Sequence, residues 1–145
     1  MKRIILIACV KSKRKMQSKA IELYTSTLFK KSLEYSRLLN PDQIYILSAK
    51  YGLVFTDQVI EPYDLTLNNM ATYEIRKWAK RVLDQLKLVT DLEKDNFIIL
   101  AGQNYRKYLL SSIKHYEIPL EGLQFGFQLQ RLEKLIEERK HGKPS

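Results

Sequence analysis

The chain has 145 residues, 45% of them hydrophobic, enough for one domain with a real core. Its 25 Lys and Arg against 16 Asp and Glu give a formal charge of +9, a potential that draws polyanions such as nucleic acid or phosphorylated ligands. A lone cysteine excludes an internal disulfide, one cysteine and two histidines give no zinc-type ligand spacing, and no apolar stretch reaches the ~18 residues of a membrane span.

The first predicted element is a strand near residues 3 to 9, where Ile4-Ile5-Leu6-Ile7-Ala8 leads into Cys9-Val10-Lys11-Ser12-Lys13. Met1-Lys2-Arg3 looks like a positive leader, but the apolar run is too short for a signal peptide and Lys11 to Lys15 follow it at once. With the single thiol, this fits a reducing compartment, and the expected location is cytoplasmic. A helix follows, opened by Ser26 as N-cap and closed at Asn40-Pro41, with Leu28, Leu33, Tyr35 and Leu39 mostly on one side.

The second strand, near 43 to 48, is Ile44-Tyr45-Ile46-Leu47, and it ends in Ser48-Ala49-Lys50-Tyr51-Gly52, with Gly52 allowing a sharp turn. From Phe55 to Asn69 the chain is aperiodic yet rich in aromatic and aliphatic residues. It reads as a long ordered loop, and loops of that length in compact domains are usually functional. A second helix runs from about Met70 to Leu88, with Ile75, Trp78, Ala79, Val82 and Leu86 inward and Arg76, Lys77, Lys80 and Arg81 on the other face.

The third strand, near 96 to 101, is Phe97-Ile98-Ile99-Leu100, followed by Ala101-Gly102-Gln103-Asn104-Tyr105. A third helix after Gly102 turns Tyr105, Tyr108, Leu109 and Ile113 to the core and places His115 at its end; a fourth spans about 127 to 140 through Leu129, Leu132, Leu135 and Ile136. No repeat or low-complexity linker interrupts residues 1–140, which read as a single domain with a frayed tail at 141–145.

Continuous apolar runs alternating with helices predict an α/β domain, a three-layer sandwich around a mainly parallel sheet with right-handed crossovers. Ligands of such sheets bind beyond the carboxyl ends of the strands, so the three polar clusters are expected to line one mouth. The first supplies Cys9, Lys11, Ser12 and Lys13. A thiol beside several cations is activated toward nucleophilic attack unless it is simply a small buried hydrophobe, and the lysines suit a phosphate track.

In the second cluster Lys50 can hold a phosphate or carboxylate, Tyr51 can stack on a base, and Ser48 can bind a ligand oxygen or satisfy a backbone carbonyl. The third offers Gly102, ahead of a helix N-terminus, and Tyr105. The long loop adds Asp57, Glu61 and Asp64 beside Tyr63 and Thr66. Neighbouring carboxylates in a cleft can divide acid and base roles, and Pro62 stiffens the backbone that aims Asp64; the plainer use of each is a turn or a lysine pair. No GxGxxG and no GxxxxGK[ST] occurs, and no cofactor or metal is expected.

The order Cys9-x-Lys11-x-Lys13, Leu23-Tyr24-x-Ser26-x-Leu28-Phe29, Leu47-Ser48-Ala49-Lys50-Tyr51-Gly52-Leu53, Pro62-Tyr63-Asp64-x-Thr66-Leu67, Trp78-Ala79, Ala101-Gly102-x-x-Tyr105 and Pro119-Leu120-x-Gly122-Leu123-x-x-Gly126 resembles an uncharacterised family of small bacterial and phage proteins. More distantly it is similar to the YaaA peroxide-stress proteins and to the glycosylase-like domain of archaeosine tRNA-guanine transglycosylases, a group similar in fold to uracil-DNA glycosylases. The resemblance implies a uracil-DNA-glycosylase-like fold with a base-sized pocket at the strand ends. It does not imply uracil excision. Uracil-DNA glycosylases typically place a water-activating polar residue after an early strand and a histidine late in the chain, where this sequence has Cys9 with lysines, and only His115 and His141.

The expected function is an enzyme directed at a nucleobase or nucleotide, cleaving or exchanging an N-glycosidic bond in DNA, RNA or a free nucleotide. Asp64 would stabilise cationic sugar or activate a nucleophile, with Asp57 as second candidate. Lys50 and Lys11 would bind phosphate, and Tyr51 or Tyr63 would stack on the base. The alternative is a non-catalytic nucleic-acid-binding module that uses the same mouth and the basic helix face.

Overall fold

A computed structural model describes residues 1–8 and 15–141. Its frame is a five-stranded sheet in the order β4-β3-β1-β6-β7, made of β1 (Arg3–Ala8), β3 (Gln43–Ser48), β4 (Gly52–Phe55), β6 (Asn96–Leu100) and β7 (His115–Glu117). Beside it β2 (Ser18–Lys19) and β5 (Val59–Ile60) form a two-residue antiparallel ladder. The helices are α1 (Ala20–Leu23), α2 (Thr27–Leu38), α3 (Thr72–Val89), α4 (Gln103–Arg106) and α5 (Phe125–Lys140).

β1 lies at the centre, paired in parallel with β3 through Ile5↔Ile44 and Ile7↔Ile46 and with β6 through Ile5↔Ile98 and Ile7↔Leu100. Strands flanked on both sides and covered on both faces must be apolar throughout, and Ile4 to Ile7 are almost fully buried. Because side chains alternate along a strand, Ile4 and Leu6 pack with Trp78, Val82 and Leu86 of α3 and with Tyr105 and Leu109, whereas Ile5 and Ile7 pack with Leu23, Phe29, Leu132 and Ile136 of α1, α2 and α5. The result is the expected layering of helix, sheet and helix. β1, β3 and β6 end on one edge.

Ser26 caps α2 as the sequence predicts, its hydroxyl accepting the amide of Phe29 at 3.2 Å. α3 buries the five apolar positions read from its periodicity.

Four expectations need correction. The third helix is a single turn, α4, followed by a 3-10 turn at Leu110–Ser112. Its i→i+3 bonds, Leu109 N–H to Arg106 and Ile113 N–H to Leu110, tighten the chain while still delivering Tyr105, Leu109 and Ile113 to the core. His115 therefore opens β7, a parallel edge strand, and does not end a helix. The stretch from Phe55 to Asn69 is not one loop, since it holds the end of β4, then β5, then a 3-10 turn at Leu67–Asn69.

The fourth correction is β4 itself, antiparallel to β3 across the short turn Ala49-Lys50-Tyr51. Gly52 closes that turn at φ +75°, and a Cβ there would lie 2.5 Å from Gln85 Oε1 of α3. Glycine is needed on both counts. The Gln85 oxygen accepts the Leu53 amide at 2.9 Å, fixing the hairpin to α3.

Candidate functional site

At the carboxyl edge the chain gathers hydroxyls. Ser48, the last residue of β3, is fully buried. Its Oγ accepts the Tyr51 amide at 3.0 Å and donates to the Tyr63 hydroxyl at 2.9 Å. Tyr63 in turn shares a 2.6 Å hydrogen bond with Tyr24, either hydroxyl being able to donate, and the Tyr51 and Tyr63 rings meet edge to face at 5.9 Å. Tyr51 also accepts the Glu61 amide at 3.4 Å. Two loops are thereby tied to one strand end.

Burial pushes the Tyr63 phenol above its ordinary pKa, against the lowering effect of hydrogen bonds from Ser48, Tyr24 and the Ala49 amide. At neutral pH it is a neutral hydroxyl able to donate and accept, not a base.

A second group stands next to the first. Tyr105 is buried after the end of β6; its hydroxyl accepts the Leu67 amide at 3.3 Å and lies 3.4 Å from the Thr66 hydroxyl. Thr66 Oγ1 accepts the Asn68 amide, and Asn104 donates to Asn68 at 2.9 Å. Trp78 joins the two groups, its ring edge to face with Tyr105 at 5.5 Å and its indole N–H donating to the Ser48 carbonyl at 2.8 Å. Trp78 thus links the residues beyond β3 and β6 through the core.

Beside the end of β3, Ala49, Met70, Tyr73, Glu74, Lys77, Trp78 and Arg81 line an open cleft of about 530 Å3. Arg81 anchors it by donating to the Lys50 carbonyl at 2.9 Å. Between β1 and β6 lies a far smaller hollow of about 40 Å3, bordered by Ala8, Ser32, Ala101, Gly102, Arg106 and Gln128, with room for little more than a water or two.

Of the residues singled out from sequence, Ser48, Tyr51 and Tyr63 form one hydrogen-bonded unit, and Thr66 with Tyr105 forms the adjoining one. Lys50 is exposed, its ammonium 5.3 Å from the centre of the Tyr51 ring. Gly102 caps α4, but that helix is only four residues long and a Cβ at Gly102 would meet nothing within 4 Å, so no close backbone approach demands glycine there.

Asp57, Glu61 and Asp64 are all exposed, and among the described residues no partner bonds their carboxylates. Cys9, Lys11, Ser12 and Lys13 lie outside the described residues, as does the tail beyond His141.

The sequence reading did not assign Tyr24, Trp78 or Tyr73 to the site. Tyr24 stood in view in the Leu23-Tyr24-x-Ser26 block, and Tyr73, Lys77 and Arg81 recur at a helical i, i+4 spacing. Among the described residues no group of three His, Cys, Asp or Glu side chains could hold a metal ion, and no helix is long and apolar enough to cross a membrane.

The architecture and the edge it forms define a mainly parallel α/β domain with a tyrosine-rich hydrogen-bond network at its carboxyl edge. Residues 4–134 match the family of unknown function DUF6884, and the chain belongs to that family. A search of curated proteins finds no match to it.

Proposed function

We propose that the protein recognises a nucleobase or nucleotide, free or within nucleic acid, at the carboxyl edge of its sheet, and that it acts on the N-glycosidic bond. The fold is then of the uracil-DNA-glycosylase type, and the protein works in the cytoplasm. One observation carries the reading. Ser48 and Ala49 are consecutive, the first inside the hydroxyl network and the second in the wall of a cleft bearing Lys77 and Arg81. Tyr51 and Tyr63, the partly exposed members of that network, are the neutral groups suited to a base or sugar, and the cations suited to phosphate stand on the neighbouring helix.

Asp64 is the candidate for the chemical step. It directly follows Tyr63, whose hydroxyl is held by Ser48 and Tyr24, so a ligand seated on the network lies next to the backbone that carries the carboxylate. Its role would be to stabilise positive charge on the sugar or to activate a nucleophile.

The test is a screen for base release from nucleosides, nucleotides and modified-base DNA or RNA, with wild type beside Asp64→Asn. The expected result is release by wild type and none by the variant, with stability unchanged to within about 0.5 kcal/mol, as for an exposed side chain. Activity that survives Asp64→Asn removes Asp64 from the reaction.

The exposure of Asp57, Glu61 and Asp64 favours a second reading, a nucleic-acid-binding module without catalysis. Tight oligonucleotide binding with no base released from any substrate would establish that reading over the enzyme.

A further inference from the structure

The face of α3 turned away from the core is not a uniform basic surface. Arg76 lies over the Tyr108 ring, 4.9 Å from its centre, and Lys80 pairs with Asp84 at 3.3 Å. Lys77 has no hydrogen-bond or ion-pair partner among the described residues. Arg81 spends one nitrogen on the Lys50 carbonyl, keeping its other donors.

Tyr73, Lys77 and Arg81 stand one turn apart and line the same cleft. A second hollow of about 380 Å3, reaching Gln85 and Leu88, is also walled by Lys77 and Arg81. The two hollows share these walls and succeed one another along α3, the second bounded by α3 residues alone, and together they mark one shallow surface groove. From Tyr73 to Leu88 it extends about 22 Å, at ~1.5 Å of helix rise per residue, and its inner wall includes Ala49, next to Ser48.

Two carboxylates, Glu74 and Asp84, line the same hollows. Glu74 accepts the Ala71 amide at 3.2 Å, and Asp84 holds Lys80. The Trp78 indole N–H is taken by Ser48, so Trp78 offers the groove only apolar surface. Tyr73 is 68% exposed.

An exposed aromatic ring followed along a groove by spaced cations suits a flexible phosphodiester chain whose bases are free to stack. A duplex hides its base faces and leaves Tyr73 unused. We infer that the groove along α3 is a track for single-stranded nucleic acid leading to the strand-end site, with Tyr73 stacking on a base and Lys77 and Arg81 meeting successive phosphates. This rests on the nucleotide reading proposed above and adds the form of the substrate and its path.

Fluorescence anisotropy tests it, using a labelled oligothymidylate of about twelve nucleotides, the same sequence as duplex, and thymidine monophosphate as competitor, each over a range of salt. Wild type should prefer the single strand. Lys77→Gln should reduce the slope of log affinity against log salt by about 0.7, the loss of one phosphate contact. Tyr73→Ala should weaken single-strand binding about tenfold and leave that slope unchanged. Both side chains are exposed, so both variants should fold, and matching melting curves check this.

Single-strand binding that neither variant alters overturns the track while the strand-end reading stands, and equal duplex affinity insensitive to Tyr73→Ala does the same. If neither the oligonucleotide nor the monophosphate binds at low salt, the nucleotide reading itself fails and the track fails with it.

Discussion

The two edges of the sheet spend their polar groups differently. At the amino edge, charge is bound to backbone. Asp95 is buried and accepts the amides of Lys2 and Asp91 at 2.9 and 2.8 Å, Asp42 accepts the Arg3 amide at 2.7 Å, and the Arg3 guanidinium donates to the Leu39 carbonyl. At the carboxyl edge hydroxyls join one another through Ser48, Tyr63 and Tyr24 and also take the backbone amides of Tyr51, Glu61 and Leu67, with Lys77 exposed nearby. A carboxylate on two amides only accepts and locks a strand start, whereas neutral hydroxyls can both donate and accept. On the proposed function, the amino edge serves the fold alone and the carboxyl edge serves a ligand as well.

The strongest challenge to that division is Asp95→Ala. It removes two charge-assisted bonds to backbone and should cost about 3 kcal/mol in urea unfolding while ligand binding at the far edge is unchanged. Burial raises the Asp95 pKa, but the Asp91 and Lys2 amides and nearby positive charge outweigh it and hold the carboxyl below its ordinary value of 3.8. A group depressed in the folded state contributes fully above its unfolded pKa and loses that contribution as pH falls through the folded one. Wild type should therefore lose stability below about pH 4, and Asp95→Ala should lose less over the same interval. An equal acid loss in both proteins would show that Asp95 is not the amino-edge clamp.

Gly52→Ala probes the seam between the carboxyl edge and α3. The left-handed backbone costs about 1–2 kcal/mol for alanine, and the new methyl displaces Gln85 from the Leu53 amide. Together about 2 kcal/mol should be lost. Because Arg81 beside Gln85 also holds the Lys50 carbonyl, oligonucleotide affinity should fall as well, a coupling that no amino-edge substitution should produce.

The parallel core of the sheet was legible because doubly buried strands write themselves as unbroken apolar runs. β4 was not, since Leu53-Val54-Phe55 is too short to show periodicity, and only the turn signal at Gly52 announced it. β7 is three residues long and exposed throughout, leaving no hydrophobic signature. The third helix failed because Tyr105, Leu109 and Ile113 keep helical spacing even when a turn and a 3-10 segment deliver them to the core. At the site, Ser48, Tyr51 and Tyr63 could be found because they sit at a strand end and in the loop beyond it. Trp78 read as core, which it is, but its bond to Ser48 spans 30 positions and no local pattern encodes it. Asp57 and Asp64 drew attention as acids in a loop, while whether a loop carboxylate is enclosed depends on tertiary contacts, and both are exposed.

The smallest expected change is the most specific to the carboxyl edge. Tyr63→Phe keeps the ring against Tyr51 but removes the hydroxyl from between Ser48 and Tyr24, at a cost of about 1 kcal/mol. Burial holds the folded-state pKa of Tyr63 above its ordinary value of 10, so its contribution is complete below pH 10 and is lost as pH rises, when the unfolded chain ionises first. Tyr35 and Tyr45 are also raised by burial, and the variant should retain part of the alkaline loss but less than wild type. Binding should respond more than stability: thymidine monophosphate affinity should drop several-fold, while Asp95→Ala, far costlier to the fold, should leave it unchanged. If Tyr63→Phe lowered stability and left nucleotide affinity intact, the hydroxyl network would serve the fold just as the carboxylates opposite do, and the division of labour between the two edges would not hold.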